Sequence, residues 1–81
     1  MTHAYILKSI NYSKTYTGST NNLERRVAEH NAGHGNFLKR YMPWKLVYSE
    51  QYDNLSEARA REKYLKSAGG QKFVKKINIP R

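Results

Sequence analysis

Five side chains in this sequence are of the types that handle phosphates: Tyr5, Tyr16, Arg26, His30 and Glu62. Glu62 makes the sharpest demand. It falls on the inward stripe of a helix expected from about Ser56 to Ser67, among Leu55, Ala58 and Leu65. A carboxylate there loses hydration, and a cation must compensate. That cation is either a basic side chain of the same chain or a hard divalent ion such as Mg²⁺, which takes one or two carboxylates and keeps several waters. The spacing leaves both open. Arg26 has the same two readings, a solvated surface cation or a planar fork presented to a phosphate. His30 suits either a satisfied interior or a hydrogen bond to a reacting water or phosphate. Tyr5 and Tyr16 sit in β-rich runs where tyrosine is common.

Charge says what these groups would act on. Fifteen Lys and Arg face six acidic residues, a net charge of +9 on 81 residues. At that density self-repulsion costs stability unless a polyanion relieves it, so nucleic acid is the expected partner, DNA first. The acids are Glu24, Glu29, Glu50, Asp53, Glu57 and Glu62, and none forms a close Asp-x-Asp cluster. Two-metal nucleases need several converging carboxylates. A phosphodiesterase built from this chain would work with very little carboxylate. Lys39, Arg40, Lys72, Lys75 and Lys76 are the expected phosphate contacts, with Tyr41 or Phe37 as stacking rings. There is no cysteine, which excludes a disulfide framework and thiolate metal sites. The Met1-Thr2-His3-Ala4 start does not read as a signal peptide, and no run approaches the roughly 20 apolar residues of a membrane helix. A soluble, cytoplasmic protein without membrane contact is expected.

The elements that must position these side chains follow from period and punctuation. Residues 4–10 read as a buried strand, Asn11-Tyr12-Ser13-Lys14 as a turn, and residues 15–18 as a second strand. A hairpin with a loop of about four residues puts odd positions of the first strand opposite even positions of the second, so Tyr5 and Tyr16 share a face. Asn21 or Asn22 caps the next helix, with Glu24 in capping-box position to Asn21, and the helix stops at Gly33. Leu23, Val27 and His30 form its inward stripe, which Arg26 flanks while Arg25 points about 100° away. Residues 33–36 read as a loop, Phe37–Met42 as a basic aromatic stretch, and Trp44–Ser49 as a third, alternating strand. Asp53–Ser56 starts the second helix, which ends before Gly69-Gly70. Phe73, Val74 and Ile77 then pin a short basic helix to the body. One domain over 1–81 results, with order β-β-α-β-α-α.

Taken together with Gly18, these residues resemble the GIY-YIG nuclease family, in particular its small stand-alone UvrC-like, UPF0213-type branch. His3-Ala4-Tyr5 stands at the first motif and Tyr16-Thr17-Gly18 at the second. Ser19 to Asn31, Pro43 to Tyr48 and Glu57 to Lys63 continue in register. The resemblance implies a mixed α/β (α+β) fold, a small three-stranded antiparallel sheet flanked by helices. It also implies a catalytic set of Tyr5, Tyr16, Arg26 and Glu62, with His30 in support. His3, Ala4 and Thr17 replace motif residues that supply strand packing, whereas the tyrosines supply hydroxyls.

The expected activity is therefore that of a divalent-metal-dependent DNA endonuclease. Glu62 would hold one Mg²⁺ or Mn²⁺, Tyr5 would help deprotonate water, Tyr16 would orient, His30 would assist, and Arg26 would stabilise transition-state charge. A phenol of pKa about 10 needs a perturbed pKa, or metal-linked water, for that task. The alternative is an inactive nucleic-acid-binding module of the same fold, and a third reading is a basic subunit that targets a protein partner. Catalysis requires the acid to share one phosphate-sized space with both phenols. An acid on the opposite side of the sheet from the phenols would end this single-space case.

Overall fold

The structure, a computed structural model, describes residues 1–33 and 35–77. Its elements are β1 (Thr2–Ser9), β2 (Thr15–Thr20), α1 (Leu23–Asn31), α2 (Asn36–Arg40), β3 (Trp44–Tyr52), α3 (Leu55–Lys66) and α4 (Ala68–Ile77). The strands form one antiparallel sheet in the order β2-β1-β3. This is the expected α+β architecture, with one short helix, α2, added in the basic aromatic stretch.

The apolar run of β1 has its cause in that order. As the central strand it is covered on both faces, and Ala4, Tyr5, Ile6 and Leu7 are all fully buried. Strand alternation then divides the core in two. Tyr5, Leu7 and Trp44 pack with Tyr16, Leu23, Val27, Leu38 and Tyr41 on the α1–α2 side. Ile6, Leu65 and Val74 pack with Val47, Tyr48, Phe73 and Ile77 on the α3–α4 side. Helices therefore cover both faces of the sheet, α1 and α2 on one and α3 and α4 on the other.

The hairpin register is the expected one, with Tyr5 opposite Gly18 and Leu7 opposite Tyr16. Its turn is closed by Ser9 N–H donating to the Lys14 carbonyl at 2.9 Å, which leaves the four residues 10–13 inside the closing pair, the expected length. β3 runs past Ser49 to Tyr52 because Thr2 pairs with Tyr52 at the other end of β1. Its alternation breaks at Val47, an extra residue between the Ile6–Tyr48 and Leu7–Leu46 pairs, which is a β-bulge.

Three local expectations are corrected. Asn22 alone caps α1, its side chain accepting from Arg25 N–H at 3.1 Å. That places Arg25, not Glu24, three residues past the cap, so the capping box with Asn21 does not form. Leu55 is 39% exposed, because it opens α3 where the helix is still outside the core. The two glycines belong to α4 and do not precede it. A Cβ on Gly70 would lie 2.1 Å from the Tyr64 carbonyl oxygen and 2.5 Å from Leu65 Cα, so only glycine lets α4 pack this closely on α3.

Candidate active site

Gly18 organises the α1–α2 side. A Cβ there would meet the Tyr5 hydroxyl at 2.7 Å, Tyr5 Cζ at 2.9 Å and Tyr16 Cε2 at 3.1 Å. The missing side chain lets the Tyr5 ring lie across edge strand β2, so a phenol rooted in the central strand projects its hydroxyl toward the sheet's rim. There it hydrogen-bonds His30 Nε2 at 2.9 Å. The Tyr16 ring centroid lies 4.8 Å from that of His30 and 6.3 Å from that of Tyr5. His30 is buried, as its place on the inward stripe of α1 requires.

Arg26 stands one turn before His30 and shares with it a 130 Å³ cleft, also lined by Tyr16, Glu29 and Leu38. Its guanidinium bonds Glu29 Oε1 at 3.3 Å. Arg25 approaches Glu29 only at 3.8 Å and faces solvent, so helix geometry selects Arg26 as expected. Glu29 was not foreseen as a site residue. Its signal was available, a carboxylate three residues after an arginine on a helix.

The electrostatics set the protonation state of Tyr5. Burial pushes the Tyr5 phenol up to about 12, and the Tyr16 and Glu62 charges push the same way, while its bond to Arg26 pulls it down. Tyr5 is therefore protonated at neutral pH and is not a ready base. With the imidazole protonated on Nδ1, Nε2 accepts in this bond and the Tyr5 hydroxyl donates. Proton removal from Tyr5 thus has a built-in acceptor.

Glu62 is placed otherwise than a single-faced site requires. Its helix, α3, covers the opposite side of the sheet, and the carboxylate accepts from Ser19 Oγ at 2.7 Å. Ser19 pairs with Ala4, so its side chain points away from Tyr5 and Tyr16. The acid is across the sheet from the phenols, and the expectation that all four groups share one face is wrong. The physical reason is that α1 already fills the phenols' face, leaving α3 the other. What joins the two halves is the rim of β2. Gly18 passes the Tyr5 ring outward on one face, and the adjacent Ser19 holds Glu62 on the other. The Glu62 charge still reaches the Tyr5 hydroxyl, where it adds to the upward shift.

At Glu62 burial pushes the pKa up, but the bonds from Lys66 and Ser19 and the charges of Lys66 and Arg59 outweigh it, leaving the group below its usual 4.5. Lys66 Nζ sits 2.7 Å from Oε2. An intramolecular cation thus meets the demand for compensation. A divalent ion that keeps its own waters would have to displace Lys66 from the carboxylate, among neighbouring cations that oppose it. Glu62 is ionised and partly solvent-facing, and it lines an open 360 Å³ hollow with Arg59, Lys63 and Lys66. Among the described residues there is no cluster of three or more His, Cys, Asp and Glu side chains, so the hollow does not suit a many-carboxylate site.

Glu50 is a different case. It accepts from both the Tyr48 and Tyr52 hydroxyls and takes a two-pronged pair from Arg61, at 2.9 Å and 3.2 Å. Arg61 in turn lies over the Tyr64 and Phe73 rings. Every acceptor position of Glu50 is spoken for, and its work is to tie β3 to α3. The expected basic contacts do not form one patch. Lys39 and Arg40 lie on α2 beside the cleft, while Lys72, Lys75 and Lys76 lie exposed on α4, across the sheet.

Residues 1–78 match the profile of the GIY-YIG catalytic domain. The chain belongs to the GIY-YIG family. Relatives include UPF0213 proteins of Clostridium perfringens, 48% identical over 82% of this chain and 71% of that protein, and of Staphylococcus haemolyticus, 42% identical over 93% and 92%. The solution NMR structure of a UPF0213 protein from Bacillus halodurans superposes with a TM-score of 0.54, covering 96% of this chain and 86% of that one at 24% identity. That likeness shows the shared fold. Of the three departures of this GIY-YIG chain from its family's motifs, two fall on buried packing positions and His3 is half-buried. Ala4 and Thr17 are buried in the sheet, whereas both motif tyrosines stand at the cleft side. No helix among the described residues is long and apolar enough to cross a membrane.

Proposed function

We propose that this GIY-YIG domain is a cytoplasmic endonuclease that hydrolyses phosphodiester bonds of DNA across the rim of β2. The observation that carries this reading is the Gly18–Ser19 step. One residue frees the Tyr5 hydroxyl beside Arg26 and His30, and the next holds an ionised Glu62. A strand laid along that rim meets both halves.

Glu62 is the residue that would hold Mg²⁺ or Mn²⁺, and the ion when bound would polarise a phosphoryl oxygen and stabilise the leaving oxygen. Arg26, kept in place by Glu29, presents N–H donors to the charge that develops on the phosphoryl group. Tyr5 takes a proton from the attacking water as it passes its own to His30 Nε2, so the high phenol pKa is met by a relay and not by free phenolate. Tyr16 stacks beside His30 and limits where the water sits. Targeting to a particular DNA structure would fall to a protein partner or to surfaces outside the cleft.

The test incubates wild type and the Glu62→Ala and Arg26→Ala variants with plasmid, single-stranded, branched and RNA substrates, with and without Mg²⁺ or Mn²⁺. Metal-stimulated cutting in wild type alone is expected, with both variants still folded. Equal cutting by all three preparations would mean a contaminant and would end this assignment. The Glu62–Lys66 ion pair favours one second reading, a nucleic-acid-binding module in which that acid is structural. Binding would then ignore divalent metal and weaken steeply with salt.

A further inference from the structure

We infer that the rings of Tyr12, Phe37 and Tyr41 form a stacking platform for unpaired bases, so that the DNA bound beside the cleft is single-stranded. The inference rests on the nuclease reading only for its position next to the cleft; base stacking itself needs neither metal nor Glu62.

The platform is built from two segments far apart in sequence, the β1–β2 loop and α2 with the residue that follows it. Tyr41 is the centre. Phe37 lies 5.0 Å away and Tyr12 5.2 Å away, edge-on, by ring centroids. Behind them the buried Trp44 ring is 5.9 Å from Phe37, and its indole N–H donates to the Leu38 carbonyl at 2.9 Å. Buried Ser9 fastens both segments. Its hydroxyl donates to the Tyr41 carbonyl at 2.6 Å and accepts from Tyr12 N–H at 3.2 Å. The rings are thus held before any ligand arrives, which reduces the ordering cost of binding.

Their exposure is the second observation. Tyr12 is 51% and Phe37 45% exposed, although each touches a packed ring. A satellite of the core would turn these faces inward. Instead they face solvent within a basic frame. Lys14 Nζ lies over the Tyr41 ring, 5.4 Å from its centroid, and so does the Arg40 guanidinium at 5.8 Å, which leaves Tyr12 and Phe37 as the open faces, with Lys39 exposed on the same helix. Cations around an apolar floor do not match an apolar protein partner. They match a polymer that alternates phosphates with flat bases. In a duplex those bases are stacked on one another and their faces are inaccessible, so the occupant is an unpaired strand. Leu38, flanked by Phe37 and Lys39 on α2, also lines the cleft with Tyr16, Arg26 and His30, which places the platform beside that cleft. We take the strand to be DNA, as in the proposed reaction.

Fluorescence anisotropy of a short labelled oligodeoxynucleotide, with EDTA present so that nothing is cut, tests this. Wild type is expected to hold the single strand more tightly than an abasic strand of equal length or the same strand annealed to its complement. The Tyr12→Ala/Phe37→Ala variant should lose at least about fivefold on the single strand, the lower end for one base–aromatic stack, and no more than about twofold on the duplex. Phe37→Leu keeps the apolar volume without the ring and should weaken single-strand binding too, while Phe37→Trp should restore it. Equal affinity for the abasic strand, or equal losses on duplex and single strand, would overturn the platform. RNA of the same sequence displacing the DNA at tenfold lower concentration would overturn its assignment to DNA. Intact stacking with no metal-stimulated cutting would instead remove the nuclease reading and leave this one standing.

Discussion

Replacing Gly18 by alanine isolates the contact on which the cleft depends. Gly18 has no positive φ, so alanine meets no backbone strain there and every penalty comes from what its methyl touches. In a strand interior the exchange would by itself gain about 0.5–1 kcal/mol. Here the new Cβ would lie 2.7 Å from the Tyr5 hydroxyl and 2.9 Å from Cζ, against ~3.5 Å for ordinary contact, so the ring must withdraw by about 0.6–0.8 Å. Tyr5 is fully buried and cannot swing aside cheaply. Overpacking of this kind costs about 1–3 kcal/mol, which outweighs the gain. A net loss near 1 kcal/mol lowers the melting temperature of a domain this size by about 4–8 °C. A shift of that size also disturbs the 2.9 Å contact of the hydroxyl with His30, whichever way the ring moves. Misplacement on this scale costs a catalytic group about 10²-fold in rate. Calorimetry and a plasmid-cutting time course on Gly18→Ala measure both effects. Repeating them in a Tyr5→Phe background removes the closest clash, so the stability loss should shrink and no further activity should be lost. A variant that melts at or above wild type and cuts within threefold of it would refute the reasoning.

Two further outcomes concern protons. Spectrophotometric titration should show late-ionising tyrosines, Tyr48 and Tyr52 raised above the usual value beside Glu50 and Tyr5 at about 12, and only the last of these should be absent from Tyr5→Phe. Because the folded value exceeds the usual 10.0, the fold loses stability as pH rises from about 10 to 12, and Tyr5→Phe should lose less over that window. Glu50 lies below its usual 4.5, where burial pushes up but the Tyr48, Tyr52 and Arg61 bonds prevail. Its contribution is complete above pH 4.5 and is lost as pH falls through the lower folded value, so the urea-stability gap between wild type and Glu50→Gln should be wider at pH 7 than in acid and should shrink steadily as pH falls below 4.5. A gap independent of pH would show that Glu50 is not held as a charge.

Much of this arrangement was legible in the residues alone because it depends on local period. Alternation along β1 and β2 put Tyr5 and Tyr16 on one face, and the 3.6-residue turn of α1 separated Arg26 from Arg25 and turned His30 inward. The apolar run of β1 announced a buried strand. These properties are set within a few residues by strand pleat and helix pitch. Periodicity says which residues of one element share a face. It does not say which side of the sheet that element will cover.

Tertiary structure alone decided that point. Glu62 was rightly read as turned against the sheet, yet α3 covers the face opposite α1, and the acid comes to β2 through Ser19. Ser19 carries no signal in the sequence, since a serine in a short strand is ordinary until a carboxylate is laid over it. Packing also chose the ion partners. Of fifteen basic residues, Lys66 took Glu62 and Arg61 took Glu50, and the Tyr5 phenol was shifted upward by burial that no local pattern encodes. Side-chain direction is a local consequence of backbone geometry, whereas charge pairing and desolvation depend on what the rest of the chain brings close.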